Sequence, residues 1–203
     1  MENGSYIRFL HASYNAPAID IFINDVPIVK DLSYRNFSQY YKASAGFYNV
    51  KIYPAGNKNL ILLEETIELT KNNIYTLAVM GTYDANGIEL NLIADHLRDI
   101  DKNYSYIRFI NLSPSLENVD VVLNDKLEIS QLSYGTESSY LEMKPGKYNF
   151  KAYSSEQEKL VLENPNLILN AGKIYSGYIV GINNTKNNLQ ILIPLEGATY
   201  LKF

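Results

Sequence analysis

The stretch Ser5-Tyr6-Ile7-Arg8-Phe9 returns unchanged, one hundred positions later, as Ser105-Tyr106-Ile107-Arg108-Phe109. In the first copy Tyr6, Arg8 and Leu10 alternate with Ile7, Phe9 and His11, the period-2 pattern of a strand with one face on a core. The residues after each copy keep one register: Asn24-Asp25 becomes Asn124-Asp125, Leu32-Ser33-Tyr34 becomes Leu132-Ser133-Tyr134, and Gly81 becomes Gly181. The chain therefore reads as two versions of one β-domain, 1–97 and 103–203.

Within the first copy, Ile19, Ile21 and Ile23 share one strand face, and Asn24-Asp25, which tolerate positive φ, predict a tight hairpin into 26–29. Further strands are expected at 37–42, 48–53, 60–65, 66–69 (with a bulge between these two), 74–81 and 88–93. Tyr48 follows Gly46 where a sandwich corner places a phenol against backbone. Asp84-Ala85-Asn86-Gly87 reads as the last hairpin. Short strands at close spacing, with no helical period, predict an all-β protein of two tandem immunoglobulin-like antiparallel β-sandwiches. The polar segment 96–104 reads as a tether between them that does not fix their angle.

The chain has 203 residues, 18 tyrosines and no cysteine, so each half must be held by apolar and aromatic packing, without disulfides. Its net charge is −4, and its only arginines are Arg8, Arg35, Arg98 and Arg108, which excludes the clustered basic face a nucleic-acid partner needs. Residues 1–5 carry neither a basic start nor an apolar run, so no signal peptide is read there. No apolar run approaches bilayer length, and no membrane insertion is expected.

At His11-Ala12-Ser13-Tyr14-Asn15-Ala16-Pro17-Ala18-Ile19-Asp20-Ile21-Phe22 and Ala45-Gly46-Phe47-Tyr48-Asn49-Val50 the chain resembles the bacterial family catalogued as domain of unknown function 4397. Members of that family look like His-Ala-Ser-Pro-Asp-Ala-Pro-x-Val-Asp-Val-Tyr followed by Pro-Ala-Gly-x-Tyr-x-Val. The resemblance covers 6–93 well and 106–193 more weakly, because Asn111, Leu112, Leu116 and Glu117 depart from the first motif. It implies a β-sandwich, often in tandem, usually exported or on a cell surface and without assigned chemistry. The resemblance thus implies a cell or spore surface, and a bias toward Asn, Ile, Lys and Tyr resembles the composition of a Gram-positive type bacterium, so that location is the expectation. Spore coats assemble from proteins made inside a cell without export signals, which fits the absence of a signal here.

No constellation for catalysis emerges. His11 and His96 are the only histidines and there is no cysteine, too few ligands for zinc. His11 reads as a ring satisfied in the bend after the first strand, and Ser13 beside it lacks an acidic orienter. The 84–87 segment resembles part of a calcium loop without its closing acid. Glu64 and Glu65 alternate across a strand and cannot converge on one bond. Arg8 with Asp20, and Arg108 with Asp120, are expected to pair across strands.

No cofactor is expected. The tyrosines carry more information, since a phenol combines contact area with a hydrogen-bonding tip. Of Tyr14, Tyr34, Tyr40, Tyr41, Tyr53 and Tyr83, some pack and the remainder form a contact surface; in the pair Tyr40-Tyr41, one must look outward. His11, Tyr14, Tyr40, Tyr41 and Tyr83 are the candidate binding residues, and Thr199, Tyr200, Leu201, Lys202 and Phe203 a candidate assembly strand. The expected function is a non-enzymatic structural or adhesive module whose partner is protein, by self-assembly or with other surface proteins. The alternative is glycan recognition by exposed tyrosines.

Overall fold

The computed structural model describes residues 4–84, 87–96, 100–183 and 188–202. The chain divides into two compact units, Met1–Leu97 with Tyr200–Phe203, and Arg98–Thr199. Each is a β-sandwich of two four-stranded sheets, as expected, and among the described residues the only helical piece is a single 3-10 turn, η1 (Gly197–Thr199).

The first unit contains β1 (Gly4–His11), β2 (Ile19–Ile23), β3 (Val26–Leu32), β4 (Tyr41–Ser44), β5 (Gly46–Pro54), β6 (Leu63–Leu69), β7 (Ile74–Gly81) and β8 (Ile88–Asp95). Its sheets run β4-β1-β7-β8 and β3-β2-β5-β6. Ile7, Phe9, Leu77 and Val79 from one sheet meet Ile19, Ile21, Val50 and Ile52 from the other in a common core. Burying one such side chain stabilises by about 1.5–3 kcal/mol. The sheets are not purely antiparallel: β1 runs parallel to β7, pairing Tyr6 with Ile74 through His11 with Val79. Both β1 and β7 are buried almost throughout, on their outward as well as their inward face.

The second unit repeats the plan with β9 (Ser105–Asn111), β10 (Asn118–Leu123), β11 (Lys126–Ser133), β12 (Leu141–Met143), β13 (Gly146–Ser154), β14 (Lys159–Leu169), β15 (Lys173–Val180) and β16 (Gln190–Leu192). The repeated stretch is the central strand β1 or β9 in each unit.

The Asn-Asp hairpins form as expected, with φ of 48° and 63° at Asn24 and Asp25 and the same angles at Asn124 and Asp125. Tyr48 Oη donates to the Ser44 carbonyl at 2.8 Å, and Tyr148 Oη to that of Lys144 at 2.7 Å, closing the predicted corner in both units. Gly81 is required by geometry: its φ is 80°, and a Cβ there would lie 2.5 Å from the Gly87 carbonyl oxygen.

Three local expectations change. β6 is one strand from Leu63 without a bulge, leaving 60–62 outside it; in the second unit the corresponding pair, β13 and β14, carries two register shifts. Phe37 makes only a single bridge to Leu10, and the strand proper begins at Tyr41. The last hairpin retains its Gly87 N–H to Asp84 carbonyl bond of 3.1 Å, while Ala85 and Asn86 lie outside the described residues.

The expected Arg-Asp pairs are replaced by other partnerships. Asp20 lies on the other sheet, where its carboxylate accepts from the Asp31 and Gly56 backbone N–H groups at 2.9 and 3.0 Å. Asp120 likewise accepts from Gln131 N–H at 2.8 Å and from the Ser155 hydroxyl at 2.7 Å. Asp31 and Gln131 have φ of 52° and 58°, so each aspartate braces an irregular edge strand. Arg108 is fully buried and donates through Nε to Glu196 at 2.8 Å, and also pairs with Glu137. Ser176 and Tyr140 hydroxyls donate to the same Glu196 carboxylate at 2.6 and 2.7 Å. Arg8 instead donates to Thr76 Oγ1 at 2.9 Å and lies 4.6 Å from the Phe37 ring centroid and 4.9 Å from that of Tyr40.

Candidate functional site

β1 and β7 end, β5 ends, and β6 and β8 begin at one end of the first sandwich, so the bend 12–18, the loops 33–40 and 55–62 and the segment 82–84 gather there. Loops brought together on a rigid sandwich are a common place for recognition. The bend is anchored from inside: Ala12 N–H donates to the Val79 carbonyl at 2.7 Å, and Asn15 Oδ1 accepts from Tyr83 N–H at 2.6 Å.

Three large apolar side chains remain in water there: Leu60 is 44% exposed, Ile61 47% and Tyr83 43%. They line an open cleft of about 310 Å³, whose polar wall is Thr82 and Asp84, joined by a 2.7 Å hydrogen bond. The cleft owes its shape to the 55–62 loop. Gly56 has φ of 73° and its N–H is taken by Asp20, while Asn59 N–H turns back to Asn57 Oδ1 at 3.0 Å. The chain is thus led away from β5 before Leu60. In the second unit Glu158 takes φ of 51° in a tighter turn, β14 starts at Lys159, and Val161 and Leu116 are buried.

Of the sequence candidates, Tyr83 lines this cleft. His11 is fully buried in the bend, and the ring expected to be satisfied there is so at one nitrogen, with Nε2 2.9 Å from the Pro17 carbonyl. Burial lowers its pKa below the ordinary value, and the Pro17 bond only partly opposes that. Its Nδ1, Ser13 Oγ and Tyr34 Oη have no hydrogen-bond partner among the described residues. The second copy satisfies the same place: Asn111 donates to the Leu116 and Leu132 carbonyls, and Ser113 Oγ donates to that of Gly181.

Tyr14 is half-buried beside Tyr34, their rings 5.9 Å apart and at 86°. Neither Tyr40 nor Tyr41 is exposed, contrary to the alternation argument: Tyr40 covers Arg8 and Tyr41 packs 6.1 Å from Phe9. The opposite faces exist, but the outer face of this sheet is buried too. Within the single chain, residues 199–202 are not in a strand. Thr199 closes η1 with its hydroxyl 3.1 Å from Ile174 N, Tyr200 packs 6.2 Å from Tyr40, and the Lys202 carbonyl accepts from Tyr6 Oη at 2.9 Å. Leu201 is half-buried, and Phe203 lies outside the described residues.

Sequence reading missed Leu60 and Ile61, which it assigned to a strand. The available signal was the run Leu60-Ile61-Leu62-Leu63, which does not alternate.

The chain matches the family described as Domain of unknown function (DUF4397) over residues 5–122 and again over 105–198. It belongs to this family. The two overlapping matches correspond to two tandem copies. No curated protein matches the chain. The two DUF4397 copies agree in their strands and corners and differ at the loop end, where only the first carries the His-Ala-Ser bend.

Proposed function

We propose that this DUF4397 chain is a non-enzymatic binding module of a bacterial cell or spore surface, and that its first sandwich engages a protein partner through the loop end. The observation carrying this reading is the group of Leu60, Ile61 and Tyr83, each left a little under half exposed beside one cleft. Exposed apolar side chains rimmed by polar groups are the common mark of a protein contact. The surface assignment rests on the family resemblance.

Assembly by strand addition has less support. Edge strand β3 carries Pro27 and an irregular register, and β6 presents Glu64, Glu65 and Glu68. Glycan stacking is favoured less than protein contact, because the ring pair Tyr14 and Tyr34, on the bend and a loop of the same end, is crossed rather than coplanar.

The test is binding of the full chain to a cell-surface or spore-surface fraction, compared with a Leu60→Ser/Ile61→Ser/Tyr83→Ser variant. Saturable binding that protease treatment of the fraction abolishes, and that the variant weakens at least tenfold, is expected. Equal binding by both proteins, or binding removed by glycosidases instead of proteases, would overturn the reading.

A further inference from the structure

At the opposite end of the first sandwich, near Ser44 and the start of β5, a second cavity of about 270 Å³ opens between the sheets. Its walls include Ile7, Ile23, Ile28, Ala43, Ile67 and Leu69. The hydrogen bond from Tyr48 Oη to the Ser44 carbonyl stands beside the opening. A dry pocket of roughly 150 Å³ already takes up benzene, and at about 30 Å³ per water-sized group this one has room for roughly nine.

The second unit indicates what shape suits the place. Ala43 pairs with Ser5 as Met143 pairs with Ser105, so the two side chains start from equivalent positions, and the longer Met143 chain packs into the second core. Ile28 is replaced by Glu128, which pairs with Lys126 at 3.0 Å. The second copy therefore carries an unbranched chain of its own and a charged rim. The first copy has the Ala43 methyl group and Ile28 at those two places, with Lys42 and Tyr48 also on the lining.

We infer that the first sandwich holds a site for a single unbranched alkyl chain of a small amphiphile, entering beside Ala43 with its polar end at Ser44. Apolar walls, aliphatic with the rings of Phe9, Tyr41 and Tyr48, recognise such a chain by contact alone, and the Met143 side chain is its built-in counterpart in the other unit. This site is separate from the loop end and does not depend on it.

Methyl-labelled full-length protein titrated with 1-hexanol, and separately with tert-butanol, tests the inference by NMR. Hexanol is expected to shift the Ile7, Ile23 and Ile67 methyls saturably, with tert-butanol at least tenfold weaker. Ala43→Met should weaken hexanol at least tenfold while second-unit methyls stay in place. Ile28→Glu should weaken it as well, and Met143→Ala should open a second site sensed by Leu123 and Leu167. The inference is overturned by unsaturable shifts, by an affinity in Ala43→Met and Ile28→Glu unchanged from the parent protein, or by shifts confined to Leu60 and Ile61.

Discussion

Replacing Glu196 with Gln tests the buried centre of the second unit. Glu196 and Arg108 are both fully buried, and the carboxylate receives Arg108 Nε, Ser176 Oγ and Tyr140 Oη within 2.8 Å. The amide keeps the shape but removes the charge, leaving Arg108 with Glu137 as its remaining acidic partner in the cluster. Breaking one side of a buried pair costs about 3–5 kcal/mol, because the other charge stays desolvated. Glu137 is partly exposed and offsets some of this, so about 3 kcal/mol is expected. For a unit of roughly a hundred residues, 1 kcal/mol moves Tm by about 4–8 °C, which gives a fall of about 12–24 °C for the second unit. Arg108→Met/Glu196→Leu should lose less than Glu196→Gln, since no charge is then stranded. Calorimetry showing a Tm change below about 3 °C for Glu196→Gln, or a larger loss for the double variant, would refute the argument.

Two more outcomes are expected in the first unit. Folding holds the His11 pKa below the unfolded value of about 6.5, so its contribution to stability is present above pH 6.5 and is lost as pH falls from there through the lowered folded value; urea melts should show this, and His11→Asn, the second-copy residue, should flatten that window. Gly81→Ala should destabilise by about 1–3 kcal/mol, through both the positive φ and the approach to the Gly87 carbonyl, and a urea midpoint equal to the parent would count against that geometry.

Much of the β framework was legible because its causes are local. Period-2 alternation, the Asn-Asp turns and the tyrosine corners act within a few residues, so the strands and hairpins could be read one after another. The candidate site was legible only in part. Tyr83 was singled out for its side chain, but its neighbours Leu60 and Ile61 come from another loop and looked like strand. Tyr40 and Tyr41 were misjudged because alternation says which way a side chain points and nothing about what covers that face.

The sequence by itself determined that this protein is two copies of an all-β domain, since a repeated pattern of alternation and turns admits no other economical fold. Only the tertiary structure decided that β1 lies parallel to β7, that Arg108 meets Glu196 rather than Asp120, and that four loops of the first unit gather at one end. Those are contacts between residues far apart in the chain. Their partners are selected by burial and by the need to neutralise a desolvated charge, and neither is visible until the sheets have packed.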